Sequence, residues 1–425
     1  MRWLNRVMLR LLIENTLDRR IAFMIIKDIG RVVTGKTPLT KVEKYYGGDI
    51  MFISPSDLHG DYLIEKSEKT ITEEGLKSIE SNIIKGISVL TGCIGWDMGN
   101  VAMCNSRCAT NQQINAITDF NDELVDPKYI YYWLKGKKEY LFSIASVTRT
   151  PILSKSVFEN IDIPLPSLKV QKKIVKLVSC IDEKIRKNNH INDYLEEMAK
   201  TIYNYWFIQF EFPDENGKPY KSSGGKMSFC NELNREIPQN WNYTSIGNIT
   251  ICLDSERIPL SNQQREGMKG SIPYYGATGI MDYVNRPIFS GNFVLLAEDG
   301  SVMDDNGNPI LQRVSGDVWI NNHTHVLQPV KGYSCRLLYL LLKDIPVSII
   351  KTGSIQMKIN QANLNNYNIL SIPDAIRTQF INCVEPLDTK IMQIQQENNN
   401  LIQFRDWLLP MLMNGQATIE DCCDK

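Results

Sequence analysis

The chain has 425 residues, 43% of them apolar and 22% charged, with a net charge of −1. That length calls for two domains with connecting elements, and the composition excludes disorder, collagen and a polytopic membrane protein. No apolar run is long enough to span a bilayer, and ten scattered cysteines without a CxxC pair predict reduced thiols in a cytoplasmic protein.

In chain order, residues 1–21 form an N-terminal extension. Its Arg6 and Arg10 interrupt the apolar residues and argue against a secretory signal. Residues 30–37, Gly-Arg-Val-Val-Thr-Gly-Lys-Thr, match the Walker A pattern letter for letter. A phosphate cradle, however, opens a helix with an apolar face. Here Pro38 follows at once, then a loop-like stretch, so ATP binding is not expected. Short apolar runs broken by glycine follow, such as Ile87-Ser88-Val89-Leu90, and read as buried strands. The body, 22–165, ends at Ile163-Pro164-Leu165-Pro166.

A long helix over 166–210 comes next. Its apolar seam runs through Ile174, Val178, Ile181, Ile185, Leu195 and Ile202, with Asn188 and Asn192 on the same face. A polar linker, 211–236, is dense in Pro, Gly and Ser and marks a domain boundary. A second body covers 237–373. Within it His323 and His325 share one face of a predicted strand and could seat a metal, but no third ligand is apparent, and a polar loop is the expected role. A second long helix, 374–415, has its seam at Phe380, Val384, Leu387, Ile391, Ile394, Leu401, Leu408 and Leu412, with Asn398 on it. Pro386 predicts a kink or a fresh helix start there. A tail, 416–425, closes the chain. Seams stepping by four and three describe coiled-coil contacts, and a buried Asn fixes register.

The two halves resemble each other. Ile50 recurs as Ile272 (272 − 50 = 222), and Asn111-Gln112-Gln113-Ile114 lies against Asn322-His323-Thr324-His325 (322 − 111 = 211). Ile181-Asp182-Glu183-Lys184-Ile185 recurs as Leu387-Asp388-Thr389-Lys390-Ile391 (387 − 181 = 206). The matches are collinear, so one unit of about 200 residues was used twice. The expected fold is mixed α/β: two pseudo-repeated globular domains joined by two long antiparallel helices. No nucleophile elbow, HExxH helix, dinucleotide fingerprint or methyltransferase motif accompanies it, which favours a binding protein over an enzyme.

The residues Gly35-Lys36-Thr37-Pro38, Tyr45-Tyr46-Gly47-Gly48-Asp49-Ile50, Ile53-Ser54-Pro55-Ser56-Asp57-Leu58 and Pro164-Leu165-Pro166-x-Leu168-x-x-Gln171 carry a family likeness. Gly217-Lys218-Pro219-Tyr220-Lys221-Ser222-Ser223-Gly224, Ile272-Pro273-Tyr274-Tyr275-Gly276-Ala277-Thr278-Gly279, Glu298-Asp299-Gly300-Ser301 and Asn321-Asn322-His323-x-His325-Val326-Leu327 extend it. Together the chain resembles the specificity subunit of type I restriction–modification enzymes. In that light the Walker-like string is the family's Gly-x-Thr-Pro turn. The second half lacks that turn, and residues 1–20 match no family feature.

The resemblance implies a non-catalytic subunit whose two target-recognition domains each read half of a bipartite double-stranded DNA site. The helices act as a ruler, since about 35 residues rise roughly 50 Å and a turn of B-DNA is roughly 34 Å. Two modification (methyltransferase) subunits dock on the pseudo-repeat, with restriction (translocase/nuclease) subunits as further partners and no membrane. S-adenosylmethionine, ATP and Mg belong to those partners, and this chain needs no cofactor or metal. By residue type and loop context the candidate DNA contacts are Lys36, Arg107, Arg149 and Lys155 in the first body, and Arg257, Arg265, Arg286, Arg313, Lys351 and Lys358 in the second. Two readings of other classes stand beside this one. One is a methyltransferase-docking scaffold or DNA mimic, which the near-neutral bodies permit. The other is a fused restriction–methylation enzyme, which would need a motif the chain does not display.

Overall fold

The computed structural model describes residues 22–59, 62–96, 98–147, 149–353, 357–417 and 419. The N-terminal extension and most of the C-terminal tail lie outside them. The protein is mixed α/β and divides into two compact units, Met1–Lys187 with Asn398–Lys425, and Asn188–Glu397.

In the first unit a four-stranded antiparallel sheet runs in the order Arg31–Thr34, Ile114–Thr118, Ile87–Gly92, Val101–Asn105. Its strands lack polar alternation because both faces are covered. Val89, Met103 and Ile117 face the helix Pro127–Lys135, while Leu90, Ala102 and Ala116 face a second core with Ile53 and Cys108. That core underlies a three-stranded sheet, Lys69–Ile71, Tyr46–Ile53, Cys108–Thr110, whose last pair is parallel. Asp126 caps the helix by accepting from the Lys128 amide, and Pro127 sits in its first turn. The exit strand Asp162–Leu165 returns to pair with the opening strand Ala22–Ile25.

The long helix Leu168–Tyr203 leaves from that strand. Its start is fastened by Gln171, which is fully buried. Gln171 accepts from the Asp126 amide and donates to the carbonyls of Leu124 and Pro166, each at 2.9 Å. Ile174, Val175 and Val178 then share a core with Leu408, Leu409, Leu412 and Met413 from the end of the second long helix.

The second unit repeats the plan. Asn242–Ser245 pairs with the exit strand Asn368–Ser371. The sheet is here continuous and six-stranded, ordered Thr250–Cys252, Thr324–Pro329, Phe289–Ala297, Leu311–Ile320, Lys269–Gly276, Gly279–Val284. One parallel contact recurs, Tyr274 beside Trp319, as Met51 lies beside Cys108 in the first unit. The helix Cys335–Lys343, capped by Ser334, covers the sheet as Pro127–Lys135 does. The start of the second long helix, Asp374–Met413, is fastened by Arg377, 206 residues after Gln171 (377 − 171 = 206). Its guanidinium donates to the carbonyls of Gly332 and Ile372 and to Asp374, and stacks on Tyr333.

The polar segment 211–236 is folded. Phe212 stacks between Tyr220 and Trp241, at 4.7 and 4.8 Å, and Asp214 caps a turn that Gly217 closes with φ 74°. No fresh helix starts at Pro386, because one helix, Asp374–Met413, runs continuously through it. Pro386 and Asn382 lie on its exposed face, where water can replace the missing amide at the Asn382 carbonyl. The eight described cysteines are free thiols, and no helix among the described residues is long and apolar enough to cross a membrane.

Candidate nucleic-acid interface

At one end of the first sheet three loops are bonded into a rim. The Cys93 amide donates to the Gln113 carbonyl (2.7 Å), and the Leu153 amide donates to the Cys93 carbonyl (2.8 Å). The Asn111 side chain accepts from the Gln113 amide, and the Asn111 amide donates to Ile53. The Gly-x-Thr-Pro turn closes the rim. The Gly35 amide donates to Ile114, and Thr37 donates to Gln112. A Cβ at Gly35 would stand 2.0 Å from the Asn111 carbonyl oxygen, so only glycine fits. Residues 31–34 of the Walker-like string are an ordinary antiparallel strand paired with Ile114–Thr118, and no helix follows. An extended strand does not curl its amides around a phosphate as a loop opening a helix does.

The second unit builds the same rim with the same bonds. The Glu298 amide donates to His323, and the Ile359 amide donates to Glu298. The Asn321 side chain accepts from the His323 amide, and the Asn321 amide donates to Tyr275. These bonds pair Asn111 with Asn321, so the repeat offset here is 210 (321 − 111), one less than the sequence alignment suggested. In place of the Gly-x-Thr-Pro turn stands Leu253 with the 3₁₀ turn Asp254–Glu256.

Several predicted side chains converge on these rims. Lys36 is exposed on the first turn, and Arg149 is exposed beside the hairpin Ser146–Val147/Pro151–Ile152, which bridges Ile94. Lys155 follows in the short helix Lys155–Glu159, half exposed and 3.3 Å from Glu159. In the second unit Lys351 and Lys358 lie on the equivalent hairpin, Lys351–Thr352/Lys358–Ile359. Lys358 reaches Glu298 at 2.9 Å. Arg257 is nearly buried against the rim, donating to Glu298 and to the carbonyls of Thr324 and Asn322.

The other four lie elsewhere. Arg107 forks onto Glu73 (2.6 and 2.9 Å). Arg265 pairs with Asp282 (3.1 Å), over the ring of Tyr274. Arg286 is exposed and covers Trp319. Arg313 is 6% exposed and joins a buried cluster with Arg336, Glu196 and Asp388. Arg336, fully buried, donates to Glu196 at 2.5 and 3.0 Å and to Asp388 at 2.9 Å. Burial and the neighbouring Arg336 charge pull the Arg313 guanidinium down to about 10, which still leaves it charged at neutral pH. Sequence reasoning missed Arg336 and Glu196. The only signal was Asp388, which lies in the repeated string with Asp182.

The two histidines are not a metal pair. His323 meets Asp299 at 2.7 Å, whereas His325 is buried with Nδ1 2.5 Å from Asp254 and Nε2 3.0 Å from the Ile359 carbonyl. Both partners of His325 accept, so the ring carries both protons and is cationic. Burial opposes that charge, but the Asp254 hydrogen bond and charge outweigh it and raise the imidazole above its usual range. Ligand atoms of Cys252, Asp254 and His325 lie within 4.8 Å of one another. The positive charge there is already supplied by His325 and by Arg257, 3.5 Å from Asp254.

A family model described as the type I restriction modification DNA specificity domain matches residues 20–197 and 238–403. The MjaIX specificity subunit of the type I restriction enzyme of Methanocaldococcus jannaschii is 30% identical over 419 residues, 93% of each chain. The HindI specificity subunit of Haemophilus influenzae is 30% identical over 178 residues, 42% of this chain and 39% of its own. Among solved structures, a type I restriction–modification S subunit from M. genitalium shares the fold, with a TM-score of 0.53 at 16% identity, covering 94% of this chain and 98% of its own. The doubled body thus matches a known family in both halves. This chain belongs to the family of type I restriction–modification specificity subunits.

Proposed function

We propose that the bodies 22–165 and 237–373 are target-recognition domains, each reading one half of a bipartite double-stranded DNA site. The observation that carries this reading is the rim built twice with the same backbone and asparagine bonds, each edged with cationic side chains, of which Lys36, Arg149, Lys155 and Lys358 are exposed. Phosphate and base contacts fall to Lys36, Arg149 and Lys155 on the first rim, and to Lys351, Lys358 and Arg257 on the second. Arg107, Arg265 and Arg286 serve as flanking contacts away from the rims. The chain is non-catalytic. Methyl transfer and ATP-driven steps, with S-adenosylmethionine, ATP and Mg, belong to modification and restriction subunits in the cytoplasm. Glu298 and Asp299 on the second rim favour the docking-without-reading alternative, but Lys358 and Arg257 compensate Glu298.

The test is Arg149→Ala. It relaxes recognition at one half-site only, by about 1–3 kcal/mol against the wrong base, and leaves the other half unchanged. Methylated-motif sequencing reads this directly, and an unchanged motif and affinity would remove Arg149 from the interface.

The helices 166–210 and 374–415 are read as an antiparallel coiled coil that sets the spacing. Supporting this, Ile174 and Val178 pack with Leu408 and Leu412 in one unit, and Asn188 donates to Glu397 in the other. The same helices dock two modification subunits. An exposed stripe on the first helix supports docking: Ile191, Tyr194 and Met198, stepping by three and four, are 43 to 67% exposed. A contiguous apolar stripe on a soluble chain marks an interaction face. Tyr194→Asp combined with Met198→Asp weakens the complex with the modification subunit by about 2 kcal/mol or more, measured by calorimetric titration. An unaltered affinity would exclude this face.

A further inference from the structure

Asp182 and Asp388 occupy the same position of the repeat (388 − 182 = 206) and each receives the body of its own unit. In the first unit Asp182, on the first long helix, accepts from the Tyr132 hydroxyl (2.8 Å) of the helix Pro127–Lys135. It also accepts from Arg405 (2.7 Å) of the second long helix. In the second unit Asp388, on the second long helix, accepts from Arg336 of the helix Cys335–Lys343 and from Arg313 of the strand Leu311–Ile320. Both guanidiniums also reach Glu196 of the first long helix. The two body helices are themselves equivalent, with Tyr131 and Lys135 recurring as Tyr339 and Lys343 (339 − 131 = 343 − 135 = 208). In each unit, therefore, a body and both long helices meet at a half-buried aspartate, directly at Asp182 and through the guanidiniums shared with Glu196 at Asp388.

Stability does not explain such a meeting. Buried ion pairs are replaced by apolar residues at little cost, and their best-attested use is to fix register. Apolar contacts let a helix slide or rotate under a body. A forked guanidinium bonded to two carboxylates does not, because its donors point in fixed directions. The scale is relevant to DNA. A slip of about two residues along a helix moves a body about 3 Å, close to one base-pair step.

We propose that the Arg336–Arg313–Glu196–Asp388 cluster, with Tyr132–Asp182–Arg405 as its counterpart, is a pair of positioning pins. They hold each body at one height and one rotation on the long helices, and so fix the gap between the two half-sites. Arg313, chosen from the sequence as a DNA contact, is on this account a positioning residue. The proposal rests on the reading of the two bodies as half-site readers.

The test compares the wild-type chain with Asp388→Asn and Glu196→Gln, each co-expressed with the modification subunit in a methylation-free host. Modified adenines are then mapped across the genome. The wild type is expected to give one gap. Each variant is expected to keep both half-site sequences, while methylation at gaps one base pair longer or shorter rises about tenfold. A purely structural role would lower methylation evenly at the original gap, and that result overturns the proposal. So does loss of all methylation while the protein–protein complex persists. Glu196 is one-third exposed, so Glu196→Gln tests the idea if Asp388→Asn does not fold. A wild-type chain that directs no split motif would instead refute the half-site reading itself.

Discussion

Arg336→Met lowers the stability of the second unit by about 3–5 kcal/mol, as breaking a buried pair does. Arg336 is fully buried, and removing it leaves Arg313 alone between Glu196 and Asp388. Two charges of each sign become one positive and two negative in a site where Asp388 is 14% and Glu196 33% exposed. Glu196 is now held below the ordinary carboxylate range: burial opposes its charge, but the Arg336 hydrogen bond and charge outweigh that. Without Arg336 the burial penalty is left standing. Urea unfolding of the full chain measures the loss. Arg336→Met combined with Glu196→Met is expected to recover part of it, because one charge of each sign then remains. A loss below about 1 kcal/mol, as for an exposed pair, would show that the cluster is open to solvent.

His325→Leu is the second large effect, again about 3–5 kcal/mol. It removes the shortest partner of Asp254, which keeps only Arg257 at 3.5 Å and the Val326 amide, and it removes a positive charge 3.8 Å from Glu298. The pH dependence has a definite sign. The imidazole of His325 titrates above its ordinary 6.5, so its contribution is complete below about 6.5 and is lost as pH rises through the higher folded value. Asp254 and Glu298 are shifted the other way. Burial opposes their charge, but His325 at Asp254, and Lys358 and Arg257 at Glu298, prevail. Their contribution is present above the ordinary carboxylate range and lost as pH falls through the lower folded values. The contribution of these three groups is therefore largest between these limits. His325→Gln, which does not titrate, is expected to flatten the alkaline side of the melting-temperature profile. An unchanged alkaline slope would assign it to another group.

The doubled unit and the long helices were legible because they are written in side chains at fixed spacing. The buried seam residues, the 206-residue offset and the Pro-bounded exits all survive in the letters. The rims were not legible, since backbone amides and carbonyls make most of their bonds. The one-residue slip at Asn321 and Asn322 has the same origin. Two adjacent asparagines look alike in sequence, and only the bonds to His323 and Tyr275 decide which matches Asn111. Arg313 was chosen by residue type and loop context, and neither shows that it is 6% exposed on a strand. The carboxylates that bury it lie 117 and 75 residues away. Arg336 opens a leucine-rich helix, and nothing in that local sequence marks it as fully buried. Gly35 and Lys36 spell a phosphate loop whose letters match and whose strand context does not, and close packing against Asn111 accounts for the glycine.

The central claim is that this chain directs methylation to a split DNA sequence. It is tested most directly by co-expressing the chain with its neighbouring modification subunit in a methylation-free host and sequencing the genome for modified adenines. The expected result is a two-part motif with a fixed gap, absent when this chain is left out. A stable complex of the two proteins with no such motif would contradict it, and would leave a scaffold that docks the methyltransferase without reading DNA.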